Sequence, residues 1–312
     1  MADTPPRTGS PATDDTDLIV IGGGPAGCAA ARMAASVGMR SVLIEPDTLC
    51  RNLYRIPALN NVLGGYTSGP ELADSIGTEL RSTQLCRLEL GHHVTELRAD
   101  EARVTVTLDA GTHLTAPYAI VATGVGPLQP RDVDWIAAPD DLTLPPLWQA
   151  EAEGAEGRTL LVLGGDRPIG TFLRAHPTTD TRLLVAYPAA DAYKIEEVRD
   201  DLRVTLLPVE RVTLIPRNGT AVTAEAVGRN GERRTVTGDA AFLSIGNAPT
   251  APSGDLIRGA DGYCPPTDQH PRVIVAGDLR SARFQRIMTA LGSGSEAALR
   301  AYYAAGELLT TS

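Results

Sequence analysis

Two stretches of one shape, LIVIGGGPAGCAA over Leu18–Ala30 and LLVLGGDRPIGTF over Leu160–Phe172, predict an α/β chain of two Rossmann-like three-layer dinucleotide-binding domains. Each is an apolar strand that runs into glycines and then into a helix-forming segment, the arrangement that wraps backbone amides around a pyrophosphate. The length of 312 residues exceeds the about 100–200 of one domain and leaves room for two cores. With 43% apolar and 21% charged residues the composition is globular, and no apolar run approaches the ~18 residues of a membrane span. A net charge of -10 without a Lys/Arg cluster argues against a nucleic-acid surface, which must displace phosphate counterions.

The opening residues mix Pro, Thr, Ser and Asp and lack a basic region followed by an apolar one. Residues 1–16 are therefore expected to form a disordered tail on a cytoplasmic protein. The first loop follows. Leu18–Ile21 is an apolar strand, Gly22 permits the tight turn, Gly24 lets backbone approach a pyrophosphate, and Gly27 lets the next helix, entered through Pro25 and Ala26, pack on the strand. A second strand, Ser41–Ile44, ends in Glu45, 18 residues past Gly27, where a carboxylate accepts hydrogen bonds from ribose hydroxyls. Strand, loop, helix, strand and acid in register predict a bound adenine dinucleotide.

The second loop keeps the shape and loses the ligand chemistry. Gly164 matches Gly22, but Asp166 stands where Gly24 admits a phosphate, and Ile169 stands at the third glycine. A carboxylate there adds bulk and like charge beside a pyrophosphate. Gly170 recovers the packing role only with an inserted residue.

Further landmarks lie downstream. APYAIVATG, Ala116–Gly124, is a strand ending at Ala122, Thr123 and Gly124; AFLSIGNAPTA, Ala241–Ala251, is a strand with Gly-x-x-Pro; PRVIVAGDLRSARFQRIMTALGSG carries the strand Val273–Ala276, then Gly277 and Asp278, then a small-residue helix. In this order the landmarks resemble the thioredoxin reductase-like flavoproteins of the pyridine nucleotide-disulfide oxidoreductase class. LCRNLYRIPALNNVLGGYTSGPEL, Leu49–Leu72, is similar to the branch that contains fungal and actinobacterial dithiol oxidases.

That resemblance implies FAD as cofactor. It implies that Asp278 meets the ribityl and pyrophosphate region, that Gln285, Arg286 and Ile287 open the helix aimed at the flavin O2 edge, and that Arg51, Asn52, Val94 and Ala122–Gly124 also lie along the FAD. Such a helix dipole stabilises the negative charge of a reduced flavin near N1 and O2. Arg51 reads equally as a solvated loop residue, and Arg286 as a solvated first-turn residue. The family order is Arg then Gln, whereas here Gln285 precedes Arg286. The implied domains are residues 17–125 with 241–312 for FAD, and a linker plus a reduced NAD(P)-binding-like domain over 126–240. NADPH-using relatives carry a basic cluster after the second strand of that domain; here RLLVAYPAADAYK offers only Lys194, while Arg182 sits at the far end of the strand. The resemblance also implies a homodimer.

The four cysteines, Cys28, Cys50, Cys86 and Cys264, form neither a Cys-x-x-Cys pair nor a zinc pattern. The dithiol relay of thioredoxin reductases is therefore excluded. The expectation is an FAD-dependent oxidoreductase acting as oxidase or dehydrogenase on a small metabolite, passing electrons to oxygen or a protein partner. The alternatives are an NAD(P)H-dependent flavin reductase with an altered nucleotide site, a non-catalytic FAD protein with a partner role, and a redox-neutral use of the flavin. No catalytic base is singled out. Cys50 is a candidate because Arg51 could lower its thiol pKa, and it reads otherwise as an inert small residue. His92 and His93, expected in a strand, would face opposite sides and share no metal, so no metal site is expected.

Overall fold

The computed structural model describes residues 16–216 and 221–311; the tail expected over 1–16 lies, except for Thr16, outside them. The chain opens with β1 (Leu18–Ile21), α1 (Pro25–Ser36) and β2 (Ser41–Glu45), then α2 (Gly69–Ser82), β3 (Cys86–Leu90), β4 (Val94–Ala99), β5 (Val104–Leu108), β6 (His113–Ala116) and β7 (Tyr118–Val121). The middle holds β8 (Val125–Pro127), β9 (Ile136–Ala137), α3 (Ala152–Ala155), β10 (Arg158–Leu163), α4 (Pro168–Ala175), β11 (Thr181–Pro188) and β12 (Val204–Val209). There follow β13 (Arg211–Pro216), β14 (Val222–Val227), β15 (Arg233–Gly238), β16 (Ala240–Leu243), β17 (Asn247–Pro249), β18 (Ser253–Gly254), β19 (Val273–Val275) and α5 (Ile287–Thr311).

Two units result. The described residues up to Arg51, with Ala73–Gly124 and those from Pro249 on, form the first; Asn52–Leu72 and Val125–Ala248 form the second. The first is built on a sheet of order β19-β7-β1-β2-β3, all parallel. Its central strand is apolar at every position and buried at every position, as a strand covered on both faces must be. Ile19, Ile21, Val42 and Ile44 pack on Val94, Leu97, Val104 and Val106 of the second sheet, β18-β4-β5-β6. The other face takes α1 and α5, which pack on one another and carry buried alanines such as Ala30, Ala34, Ala297 and Ala301. Because β1 has β2 on one side and β7 on the other, the strand order reverses there. In sheets of this kind ligands bind beyond the carboxyl ends of the strands at such a reversal.

The second unit repeats the plan in a four-stranded parallel sheet of order β12-β11-β10-β16. One face meets the hairpins of the sheet β15-β14-β13-β9 through Leu161, Leu163, Ala186 and Leu207 against Val212, Leu214 and Ala224. The other meets α4 and a short 3-10 turn through Leu160, Val162, Leu183 and Val185 against Ile169, Phe172, Ile195 and Val198. The chain divides at points other than the expected bounds. The strand over Ala240–Leu243 pairs with Leu160–Leu163, so it completes the second sheet, and the first unit resumes at Pro249 rather than at 241. Asn52–Leu72 groups with the second unit, which interrupts the block expected over 17–125. The segment expected as linker contributes β9, paired with Val212 and Thr213. Among the described residues no helix is long and apolar enough to cross a membrane.

Candidate functional site

The first glycine loop lies at the carboxyl end of β1. Gly22 has φ +100°, and a Cβ on it would stand 2.6 Å from the Ala122 carbonyl oxygen, so only glycine lets β1 and β7 converge there. The Gly23 amide donates to Glu45 Oε2 at 2.6 Å. Burial raises the Glu45 pKa, opposed by the Gly23 and Asp47 amides that bond its carboxylate. Gly24 caps α1 with no side-chain bond, and Pro25 fills the first helical position. A Cβ on Gly24 would meet nothing within 4 Å, leaving open space above a helix N-terminus, which attracts anions. Ala26 is buried, and a Cβ on Gly27 would collide with the Gly22 carbonyl oxygen. The helix therefore lies against its own loop.

The ends of β7 and β19 supply the rest. Ala122 donates to Ile21 O at 2.8 Å, and the Thr123 hydroxyl is buried without a partner. Gly124, at φ +66°, accepts the Thr250 amide at 3.0 Å, and the Thr250 hydroxyl donates to Thr123 O at 3.0 Å. Gly277 donates its amide to Ser293 Oγ at 2.9 Å. Burial pushes the Asp278 carboxyl up to about 6, against the pull of Arg280. The Gln285 amide donates to Ser281 O at 3.1 Å and Tyr263 Oη at 3.2 Å, which knits the turn that Ile287 continues as α5. The Arg286 amide donates to Thr289 Oγ1 at 3.1 Å and its guanidinium to Gln285 O at 2.8 Å.

Three of the expected residues have contacts within the protein. Arg51 pairs with Asp47 at 3.1 Å, both about half exposed. Asn52 belongs to the second unit and accepts a bond from Arg55 at 2.9 Å. The Val94 side chain is part of the core. The remaining residues fit an adenine dinucleotide with a ribityl chain. An open helix N-terminus suits a pyrophosphate, and the orphaned Thr123 hydroxyl and two desolvated carboxyl groups are polar atoms that such a ligand would satisfy.

The second loop, within its own unit, matches the first at its base. Gly164 has φ +95°, and a Cβ there would run into the Ser244 carbonyl oxygen, as one on Gly22 would into that of Ala122. The Gly165 amide donates to Asp191 Oδ2 at 3.2 Å, so Asp191 plays the part of Glu45. At the next residue the loops part. Asp166 is tied to β16 by its amide to Ser244 O at 3.0 Å and by the Ser244 hydroxyl to its own carbonyl at 3.0 Å. Lys194 Nζ lies 2.9 Å from Asp191 and 3.9 Å from Asp166. Burial depresses the Lys194 pKa, but the bond to Asp191 and the two negative charges outweigh it, and the net shift is upward. Gly170 does not take over the packing of Gly27: a Cβ on it would meet the Glu197 and Arg174 side chains.

The reading of the adjacent histidines is corrected. His92 and His93 precede β4 rather than lying in a strand, and both reach one carboxylate, Asp109, at 3.3 and 3.0 Å. Among the described residues no cluster suits a metal ion. Cys50 is not isolated, because its thiol lies 3.8 Å from that of Cys28. Asp191, Ser293 and the Cys28–Cys50 contact escaped the sequence reading. Asp191 alone carried a signal, as an acid shortly after the strand that follows a glycine loop.

An open glycine loop, an acid closing β2, a half-buried Gly-Asp pair after β19 and a helix starting beside it define an FAD-binding chain built on two Rossmann-like units. The chain belongs to the pyridine nucleotide-disulphide oxidoreductase family, which residues 16–294 match. It is 24% identical over 305 residues to an alkyl hydroperoxide reductase component of Pseudomonas putida, covering 92% of this chain and 57% of that one. It is 23% identical over 320 residues to an NADH dehydrogenase of Ferdinandcohnia aciditolerans, covering 93% and 57%. The chain thus spans little more than half the length of these relatives. In fold it resembles the thioredoxin reductases of Lactococcus lactis (TM-score 0.75, 19% identity, 92% of this chain and 98% of that one) and T. acidophilum (0.74, 18%, 93% and 98%). It also resembles the bacillithiol disulfide reductase of Bacillus cereus (0.67, 17%, 92% and 99%).

Proposed function

We propose that this flavoprotein takes electrons from a small-molecule substrate rather than from a pyridine nucleotide, and acts as an oxidase or dehydrogenase that delivers them to oxygen or a protein partner. One observation carries the reading: Asp166 occupies the position of Gly24, and Lys194 joins it to Asp191. A pyrophosphate approaching this loop would meet a carboxylate where the first loop offers open space. This sequence carries no Cys-x-x-Cys pair, which supports the same reading.

Bound in the first unit, FAD would supply the two-electron acceptor. The amides at the start of α1 would hold its pyrophosphate, Glu45 would accept from ribose hydroxyls, and Thr123 and Asp278 would offer polar partners to the rest of it. The start of α5 presents its amides to developing negative charge. A homodimer in the cytoplasm is part of the same proposal.

A second reading keeps NAD(P)H as donor. It is favoured by the relative named as an NADH dehydrogenase, which aligns over 93% of this chain. Anaerobic titration of the yellow protein with NADPH and then NADH separates the two. Under the favoured reading the flavin band is unchanged by either nucleotide, whereas prompt bleaching at about one equivalent establishes the second. A flavin that no small molecule reduces, together with a stable protein partner, would instead point to a non-catalytic role.

A further inference from the structure

We infer that Cys28 and Cys50 form an oxidisable dithiol that, as an intramolecular disulfide, clasps the wall of the dinucleotide site and slows the loss of flavin. The thiols are in contact at 3.8 Å and are 1% and 0% exposed, so each has the other as its nearest reaction partner. Both converge on one peptide group of the cofactor loop. The Cys28 thiol donates to Gly23 O at 3.2 Å, the Cys50 amide donates to the same oxygen at 2.8 Å, and the Gly23 amide is held by Glu45. A bond between the sulfurs would join the first turn of α1 to the segment after β2 across Gly23, fixing three pieces of chain that line the site.

The backbone shows that this contact is specified. Cys50 has φ +55°, a left-handed conformation that is unfavourable for an L-residue and that glycine would adopt freely. Outliers of this kind persist where the surrounding structure demands them. The second unit makes the comparison internal: there Gly170 stands at the step of Cys28, counted from Gly22 and Gly164, and an ionic link through Lys194 joins loop to strand end instead. The Cys28 thiol is held well above its ordinary pKa by its hydrogen-bonded neighbour and by burial. At neutral pH Cys28 therefore waits as a thiol beside Cys50.

The oxidant is a hydroperoxide, small enough to enter on local opening. As the Cys50 sulfur attacks the peroxide oxygen it gives up its thiol proton, the O–O bond breaks, and the leaving alkoxide or hydroxide takes that proton. The Cys28 sulfur then displaces hydroxide from the Cys50 sulfenic acid, and the Cys28 proton leaves with it as water. Two thiols and one hydroperoxide become one disulfide, one alcohol or water, and a second water; the sulfurs together lose two electrons, which the peroxide gains.

The experiment treats the flavin-loaded full chain with hydrogen peroxide, alkylates remaining thiols in denaturant, and maps tryptic peptides by mass. The expected product links the peptide ending at Arg32 to that spanning Ser41–Arg51 and is two hydrogen atoms lighter than their sum, with Cys86 and Cys264 alkylated. The oxidised protein is then diluted, and flavin release is followed by fluorescence. Release is expected to slow by about tenfold, with the rate restored by dithiothreitol. Cys28→Ser and Cys50→Ser are each expected to abolish both the link and the slowing. Failure to find the linked peptide in the wild-type protein overturns the proposal, as does a linked protein that releases flavin as fast as the unoxidised one. The wild-type map stands even where a variant fails to fold.

Discussion

At Gly27 the close approach of helix and loop gives a direct test of packing. Gly27→Ala places a Cβ against the Gly22 carbonyl oxygen, and backbone cannot give way as a side chain does. The substitution is expected to cost at least the about 1–3 kcal/mol of ordinary overpacking and to lower flavin occupancy, read by urea denaturation and by the ratio of flavin to protein absorbance. Asp278 tests electrostatics. Its folded pKa of about 6 stands above the ordinary value of 3.8, so the fold favours the protonated acid. That contribution is fully present below about pH 4 and is lost as pH rises through about 6, amounting to at most about 3 kcal/mol. Glu45 is shifted in the same direction. In flavin-stripped protein, Asp278→Asn is expected to flatten the fall in melting temperature between these pH values; an unchanged slope would assign it to other groups.

Between elements, the ionic link of the second loop makes a further prediction. Lys194→Met leaves Asp166 and Asp191 facing one another at a partly buried site, since both carboxylate side chains are less than a quarter exposed. Stability in urea is expected to fall by about 1–3 kcal/mol, and Asp166→Asn in the same chain to recover part of it. What was legible in the sequence follows from the same comparison. Strands such as Leu18–Ile21 and Leu160–Leu163 announce themselves because doubly covered strands are apolar throughout, and glycines mark turns because no other residue fits. Which sheet a strand joins is a long-range matter, so Ala240–Leu243 was legible as a strand and not as the partner of β10. Contacts set by backbone geometry, such as Cys50 turning at positive φ onto Cys28, have no local signature. The adjacent histidines converge on Asp109 for a related reason: in irregular backbone the alternation of strand side chains does not apply.

For the molecule as a whole, the two units respond differently to the cofactor. The first leaves an open helix N-terminus and an orphaned hydroxyl, while the second satisfies its loop with Ser244, Asp191 and Lys194. A ligand that binds only the native first unit stabilises it by mass action. Flavin removal is therefore expected to reduce hydrogen-exchange protection over residues 18–45, 118–124 and 273–294 and to leave 158–198 unchanged. Equal loss in both sets would refute the division of labour between the loops.

The interruption of the first unit also sets an order of events during synthesis. Its sheet needs β19 beside β7, and its helical layer needs α5 against α1, yet both are translated after all of Val125–Ala248. A nascent chain emerges at about 5–20 residues per second and folds in units as they complete. The later-encoded parallel sheet, contiguous from β10 to β16, can thus close while the earlier strands still wait with an unpaired edge. Flavin can be captured only once β19 and α5 have been made, which places cofactor loading after the middle of the chain has folded and makes free flavin a determinant of how much newly made chain reaches its native state.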